Sequence, residues 1–264
     1  MTDTINKKPL ILVTNDDGYQ AKGLRKLISL MRPLGELVVI STDQVMSAKG
    51  HSITTTPTLS VKLIDSGLDY KEYLCNGTPV DCVKVGYQWL LDRKPDLVVS
   101  GINHGSNAST NVIYSGTMGA AIEACMDGIQ AVGFSLDCYD LDADFDHLDD
   151  YITAITKEVL NNGLPKGVCL NVNFPKRSME PIRGLKVCRQ ANAQWVEAFS
   201  ECEDENGRKY LKLGGRFICD DDGDDTDYGA LQNNYISLVP THFDLTAKQY
   251  IETMRRYEHI FDKV

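Results

Sequence analysis

The sequence lacks several features that would assign it to a class at once. It contains no Cys-x-x-C pair, and its five histidines are scattered, so it lacks the ligand spacing of common zinc sites. No apolar run approaches the roughly 20 residues that a membrane-spanning helix needs. Positive charge is also in short supply, because 27 Lys and Arg face 37 Asp and Glu for a formal net charge of −10. This balance argues against a partner that is a nucleic-acid polymer.

What remains is the composition of a globular protein. A chain of 264 residues with 42% hydrophobic residues can bury a large core, and we predict one domain over residues 1–264. Within it we expect a core over about residues 8–183 and an extension of strands and helix over about 184–264. The eight dispersed cysteines are predicted to be reduced. Residues 1–8 lack the apolar region of a signal peptide, which predicts a cytoplasmic protein without a membrane partner.

Strand-like and helix-like patterns alternate along the first two thirds of the chain. Short apolar runs at residues 10–13, 37–40, 97–99, 131–136 and 168–172 predict buried strands. Between them, apolar residues recur at helical spacing. Such alternation predicts an α/β fold with a mostly parallel, doubly wound sheet.

Two regions depart from this rhythm. Residues 54–74 read as a β-excursion, and short strands replace the βα units from residue 184 onward. The acidic run at 220–225 is predicted to be a solvated loop, because its glycine lies at the wrong offset for an EF-hand. Near the C-terminus, Asp244 is predicted to cap a helix whose apolar stripe must dock on the core or on a partner. That stripe consists of Tyr250, Met254, Tyr257 and Phe261.

The first apolar run leads directly into two adjacent carboxylates, Asp16 and Asp17, between Asn15 and Gly18. Ligands of open α/β sheets bind beyond the carboxyl ends of such strands. Two neighbouring carboxylates repel each other unless a cation, a proton or water relieves the repulsion, and this favours a metal site. Because Asn, Asp and Gly also favour turns and helix caps, an ordinary turn is the alternative.

A second polar segment follows the run at 97–99 and contains Asn103 and Asn107. Residues 115–117, Ser-Gly-Thr, then open a helix, where free backbone N–H groups and two hydroxyls favour an anion such as phosphate. An ordinary helix cap is the alternative for this tripeptide. In the loop after the second strand, Ser47 offers a hydroxyl oxygen as a further metal ligand, and an ordinary surface loop is the alternative.

Taken together, these residues resemble the SurE survival-protein family, and the resemblance spans most of the chain. It is carried by Asn-Asp-Asp-Gly at 15–18, Ser47, Gly-Thr-Pro at 77–79 with Asp-Cys-Val at 81–83, Ser-Gly-Ile-Asn at 100–103, Tyr-Ser-Gly-Thr at 114–117 and a late segment at 226–240. The chain departs from the family pattern at Ala48 and Ser109, where many members have glycine.

The resemblance implies a Rossmann-like core and a metal-dependent 5′/3′-nucleotidase that forms dimers or tetramers with exchanged C-terminal elements. The metal ligands that it implies are Asp16, Asp17, Ser47 and Asn103. The phosphate contacts that it implies are Asn103, Asn107, Ser115, Gly116 and Thr117.

The chemistry of these side chains agrees with that family. An all-oxygen ligand set suits one Mg²⁺, Mn²⁺ or Ca²⁺ ion per subunit. We expect Asp16 or Asp17 to accept the proton of the attacking water while the substrate, a nucleoside monophosphate or short polyphosphate, loses phosphate. Two alternatives are an aspartyl-phosphate phosphatase of the haloacid dehalogenase class and a nucleotide-binding sensor without catalysis.

Overall fold

A computed structural model describes residues 8–56, 58–64 and 69–261. Nine strands form one sheet, and two more form a separate hairpin. The strands of the sheet are β1 (Leu10–Thr14), β2 (Glu36–Thr42), β3 (Val61–Ile64), β4 (Lys71–Cys75), β5 (Leu97–His104), β6 (Gln130–Leu136), β7 (Val168–Phe174), β8 (Leu185–Val187) and β11 (Ile236–His242). The hairpin consists of β9 (Ala193–Glu203) and β10 (Lys209–Cys219).

The sheet has the order β3-β4-β2-β1-β5-β6-β7-β11-β8. Its six central strands, from β4 to β7, are parallel, whereas β3 pairs antiparallel with β4 and β11 pairs antiparallel with β7. The mostly parallel sheet confirms the prediction. The predicted β-excursion is the β3–β4 edge, although residues 57 and 65–68 lie outside the described residues. Beyond the predicted core, β8 and β11 extend the same sheet.

Helices cover both faces of the sheet. The helices are α1 (Lys22–Met31), α2 (Pro79–Val85), α3 (Asn111–Tyr114), α4 (Gly116–Met126), α5 (Asp149–Asn162), α6 (Asp227–Gln232) and α7 (Ile251–Met254). One buried apolar cluster joins α1 and α5 to the sheet, and a second joins α2 and α4 to it. Two clusters on one sheet make the fold doubly wound, as predicted. No helix in the described part of the chain is long and apolar enough to cross a membrane.

Helix α2 begins at Pro79, directly after a cap formed by Thr78. The Thr78 hydroxyl accepts the backbone N–H of Asp81 at 3.2 Å, and the Asp81 carboxylate accepts the N–H of Thr78 at 2.8 Å. Pro79 occupies the first helical position, where its missing N–H costs nothing. This reciprocal cap explains the Gly-Thr-Pro motif without a role in chemistry.

The prediction of a C-terminal α-helix capped by Asp244 is wrong. Asp244 accepts the N–H of Thr246 at 3.0 Å and pairs with Lys248, so it stabilises a turn and caps no helix. Only the single turn of α7 is α-helical, and it is flanked by short 3₁₀ segments. The side chains of Tyr250, Met254 and Tyr257 stay about half exposed in the single chain. Because a short helix needs tertiary packing, an undocked stripe does not sustain one.

The acidic run at 220–225 forms a loop, as predicted, but two of its carboxylates are paired. The Arg189 guanidinium binds Asp221 at 2.6 Å and Asp225 at 2.7 Å. These exposed contacts hold the start of the β9–β10 hairpin against the loop that precedes α6, and each adds little stability by itself.

A buried carboxylate connects the C-terminal part of the chain to the loop after β5. Asp227 is fully buried and accepts the backbone N–H groups of Ser109 at 2.7 Å, Ala191 at 2.9 Å and Tyr228 at 2.8 Å. Burial raises the pKa of this carboxyl above its usual value, although the three N–H groups oppose the shift. The side chain therefore holds α6, the start of the hairpin and the β5–α4 connection in one arrangement.

We expect Asp227→Ala to lower the free energy of unfolding by about 3 kcal/mol, because three buried donors lose their acceptor together. Urea unfolding followed by circular dichroism measures the change. Asp224→Ala is the matched control, since Asp224 is exposed and only makes a long contact with Lys186. An Asp227→Ala protein as stable as the control would show that the loops are held by other contacts.

Candidate active site

The predicted residues converge at the carboxyl ends of β1 and β5, which are neighbours in the sheet. A cavity of about 710 Å³ opens there. It is lined by five of the eight predicted residues, Asp16, Ser47, Asn103, Asn107 and Ser115. The other three lie beside them, since Gly116 and Thr117 continue from Ser115 and Asp17 follows Asp16. The predicted residues thus lie together in one crevice, as the sequence led us to expect. The role of each residue stays a prediction.

Asp16 is almost completely buried and faces the first turn of α4. The Thr117 hydroxyl donates to Asp16 Oδ1 at 2.6 Å, and the backbone N–H groups of Gly116 and Thr117 also favour the ionised carboxylate. Burial nevertheless raises the pKa of Asp16 above its usual value. A side chain at Gly116 would place its Cβ 2.9 Å from the Asp16 carboxylate, so glycine is needed for this close approach.

Asp17 is the second carboxylate of the pair. Its Oδ2 accepts the backbone N–H of His104 at 3.1 Å. Burial and the negative charge of Asp16 raise the pKa of Asp17 to about 6. Two adjacent carboxyl groups that both resist ionisation form a site in which a cation would relieve the electrostatic cost.

Asn103 presents an oxygen to this pair. Its Nδ2 donates to the carbonyl of Gly105 at 2.8 Å and to that of His104 at 3.3 Å. Its Oδ1 then lies 3.4 Å from the Thr117 hydroxyl, the group that donates to Asp16. The hydrogen bonds of the loop thus direct the amide so that its acceptor atom faces the carboxylates.

Ser47 lies on an exposed loop whose two sides are anchored. The N–H of Met46 donates to the carbonyl of Asp16 at 2.7 Å, and the N–H of Gly50 donates to the carbonyl of Tyr114 at 2.9 Å. One residue further on, His51 Nε2 lies 2.8 Å from the buried carboxylate of Glu123 in α4. These contacts hold the loop so that Ser47 lines the cavity.

The oxygen set fits a hard divalent cation. In residues 8–56, 58–64 and 69–261, no group of three or more His, Cys, Asp or Glu side chains is arranged to hold a metal ion. An ion at Asp16 and Asp17 would therefore need neutral oxygens as further ligands, and Ser47 and Asn103 offer them.

Asn107 has a different environment from the other predicted residues. Its Nδ2 donates to the Ser135 hydroxyl at 2.8 Å, and its backbone N–H donates to Asn173 Oδ1 at 2.7 Å. The Asn171 amide donates in turn to the Asn107 carbonyl at 2.8 Å. This buried network holds the β5–α4 connection against β6 and β7. A phosphate contact by Asn107 stays a prediction, and its side-chain N–H groups would be shared with Ser135.

Ser115 is the cap of α4, as the alternative interpretation of residues 115–117 predicts. Its hydroxyl oxygen accepts the N–H of Met118 at 3.0 Å. The hydroxyl hydrogen stays available to an anion in the cavity, so capping does not exclude a phosphate contact.

Sequence reasoning missed the other wall of the cavity. Tyr139 follows β6, and Trp195 and Glu197 come from β9 of the hairpin. No spacing connects these residues to the strand ends, because more than 80 residues separate Trp195 from Asn111, its hydrogen-bond partner. The signal for Trp195 is an aromatic side chain on a strand whose residues are mostly exposed.

Comparisons with known proteins agree with this geometry. The family model described as "Survival protein SurE" matches residues 11–197. A "5'-nucleotidase SurE" from Christiangramia forsetii is 54% identical over 94% of this chain and 96% of its own length. Another of that name from Bacteroides fragilis is 43% identical over 96% of this chain and 99% of its own length.

A solved structure also matches. The crystal structure of the SurE protein from Aquifex aeolicus is 36% identical in sequence and has a TM-score of 0.81. The match covers 95% of this chain and 100% of that one. The ordered motifs, the doubly wound sheet and the paired carboxylates at its edge thus have one explanation, which is that this chain belongs to the SurE family.

Proposed function

We propose that this protein is a 5′-nucleotidase, an enzyme that hydrolyses nucleoside 5′-monophosphates to nucleoside and phosphate with the help of one divalent metal ion. The observation that carries the proposal is the pair of adjacent carboxylates formed by Asp16, which is buried and lines a cavity of about 710 Å³, and Asp17, which is half-buried beside it. The activity printed in the names of relatives that match nearly the whole chain supports it.

The metal ligands in this proposal are Asp16, Asp17, Ser47 and Asn103, which form an all-oxygen set suited to Mg²⁺, Mn²⁺ or Ca²⁺. Such an ion, when bound, neutralises charge on the phosphate and lowers the pKa of a bound water. The orientation of the Asn103 amide, set by the carbonyls of His104 and Gly105, supports its inclusion.

The phosphate contacts in this proposal come from Asn103 and Asn107 and from the start of α4. Residues 115–117 place two hydroxyls at the positive end of the helix dipole, where the Thr117 hydroxyl and the N–H groups of Gly116 and Thr117 also serve the Asp16 carboxylate. Asp17 is the better placed of the two carboxylates to accept the proton of the attacking water, because it is the less deeply buried of the two. Asp16 is more deeply buried, and its main role in this proposal is to hold the metal ion.

Phosphate release from adenosine and guanosine 5′-monophosphates tests the proposal, with chelator, with Mg²⁺ and with Mn²⁺. We expect release that needs a divalent ion. The corresponding 3′-monophosphates and short polyphosphate, in the same assay, define how far the activity extends. Nucleotide binding without release in every metal would favour a sensor module, and a trapped phosphoenzyme would favour the haloacid dehalogenase class.

The proposal also includes a homo-oligomer, either a dimer or a tetramer. Its support is the number of large apolar side chains that the single chain leaves exposed on the β9–β10 hairpin and the C-terminal tail, among them Phe199, Leu211, Leu213, Ile251 and Ile260.

The proposal places the protein in the cytoplasm. The eight cysteines are all free, which is consistent with that reducing compartment. The net charge of −10 leaves nucleic-acid polymers and membranes out of the proposed partners.

A further inference from the structure

The cavity has two walls of different chemistry. One wall carries Asp16, Ser47 and Asn103. The second wall carries Tyr139, Trp195 and Leu213, and Glu197 is the acidic residue beside them. A phosphate group needs only the first wall, so the second wall is available to the rest of the substrate.

Trp195 is held in a defined position on this second wall. Its Nε1 donates to Asn111 Oδ1 at 2.8 Å, which uses the only polar group of the indole. Phe217 contacts it edge-on with ring centroids 5.5 Å apart, and Tyr228 lies 5.8 Å beyond Phe217. Although 41% exposed, Trp195 is thus fixed on two sides, and what it offers the cavity is apolar ring surface.

The contact with Asn111 also couples the two walls. Asn111 is the first residue of α3, which leads through Ser115 into α4, the helix whose first turn faces Asp16. The distance between the Trp195 ring and the carboxylates therefore depends on one short, hydrogen-bonded segment. A substrate with two chemically distinct ends needs both walls of the cavity at a set distance from each other.

Space is left beside Trp195 on the hairpin. Trp195 pairs with Phe217, and two residues along, Glu197 pairs with Gly215. Directly opposed residues of an antiparallel pair lie on the same face, so glycine at 215 leaves this face open where another residue would project a side chain. Gly214, Gly215 and Leu213 accordingly line the cavity.

Tyr139 approaches the same space from the other side. Its ring lies directly on the backbone of Gly105, where an added Cβ would be 2.3 Å from Tyr139 Cε1. Gly105 also has a φ of +98°, a conformation that favours glycine. The loop that orients Asn103 thus also supports the Tyr139 ring, which is 66% exposed.

We propose that the nucleobase of the substrate stacks on Trp195, with Tyr139 as a second aromatic contact, so that the β9–β10 hairpin forms the nucleoside subsite. The inference rests on the proposed nucleotidase function and adds the part of the protein that recognises the base. Stacking on aromatic rings accepts every base, because each base has a π-face, and favours the larger surface of the purines.

The kinetic test compares Trp195→Ala with the wild-type enzyme on two substrates, adenosine 5′-monophosphate and ribose 5-phosphate, which lacks the base. We expect kcat/KM for the nucleotide to fall about tenfold or more, mainly through KM, because a stacked base contributes that much to binding. The value for ribose 5-phosphate should change less than about twofold. Trp195→Phe, which keeps an aromatic face, should retain most of the nucleotide preference.

Trp89→Ala is the matched control, because Trp89 is 73% exposed and lies outside the lining of the cavity. It should leave both substrates unaffected. An equal loss on both substrates in Trp195→Ala would mean that Trp195 only supports the fold, and it would overturn the inference while the nucleotidase function stands. A wild-type enzyme that releases no phosphate from either substrate would instead refute the proposed function.

A second measurement does not depend on turnover. The chain has two tryptophans, so Trp89→Phe leaves Trp195 as the only one. We expect adenosine to quench or shift the fluorescence of this variant, and to leave Trp195→Phe, which retains Trp89, unchanged. Calorimetric binding of adenosine without any change in Trp195 fluorescence would overturn the inference, as would the absence of adenosine binding.

Discussion

Replacing Asp16 with asparagine is expected to lower phosphate release by about a thousandfold or more while leaving the metal-free protein at least as stable as the wild type. The loss of activity follows because the site would lose the more deeply buried of its two negative charges. An amide oxygen is a much weaker ligand for a hard cation than a carboxylate. The variant should therefore fail to respond to added Mg²⁺ or Mn²⁺.

The stability follows from the same burial. In the metal-free protein the ionised Asp16 is unfavourable, and burial raises its pKa for that reason. Asparagine keeps the shape and an oxygen that accepts from Thr117, without the charge. Phosphate release and thermal unfolding in chelator measure the two effects in one preparation.

Asp43→Asn is the control for Asp16→Asn, because Asp43 is an exposed carboxylate in the loop after β2. It should keep both activity and its response to metal. If Asp16→Asn retained metal-dependent turnover, Asp16 would have no part in binding the ion. If it unfolded in chelator at a lower temperature than the wild type, the carboxylate would be needed for the fold and the electrostatic argument would be wrong.

The second large effect is the removal of divalent ions, which should abolish turnover and lower the melting temperature near neutral pH. The difference in melting temperature with and without the ion should depend on pH. In the metal-free protein the pKa of Asp17 is raised from 3.8 to about 6, so its contribution to stability is present below about pH 4 and is lost as the pH rises through about 6. Metal binding needs the ionised carboxylates and has the opposite dependence.

Stabilisation by Mg²⁺ or Mn²⁺ should therefore be largest above about pH 6 and should vanish toward about pH 4, where protons occupy the site instead. Thermal unfolding over this pH range, with and without the ion, measures it. In Asp17→Asn most of the pH dependence should disappear. Stabilisation of the wild type that is equal at all these pH values would place the ion away from Asp17.

The sequence allowed the main features of the site to be predicted because they depend on local pattern and simple topology. The apolar run before Asp16 identifies a buried strand, and a second such run precedes Asn103. Parallel strands end at the same edge of a sheet, so both segments had to meet there. The start of α4 after Ser115 was also predictable, because its hydroxyl is a favourable cap.

Other features depend on contacts between distant segments and left no pattern in the sequence. The direction of the Asn103 amide is set by two carbonyls of its own loop, and nothing in its spacing reveals that. The place of Asn107 within a buried network depends on Ser135, Asn171 and Asn173 from two other strands. The prediction of a helix in the C-terminal tail was wrong because helical spacing shows which face is apolar, but not whether another surface is present to cover that face.

The sequence by itself thus determined the class of fold, the edge of the sheet where the polar residues gather and the kind of chemistry that Asp16, Asp17 and Asn103 can support. These conclusions rest on periodicity and side-chain chemistry, which are local. The tertiary structure alone decided that burial makes the two carboxylates resist ionisation and that Trp195 lines the same cavity as Asp16. Burial and proximity arise only when segments far apart in the chain pack together, so no local pattern encodes them.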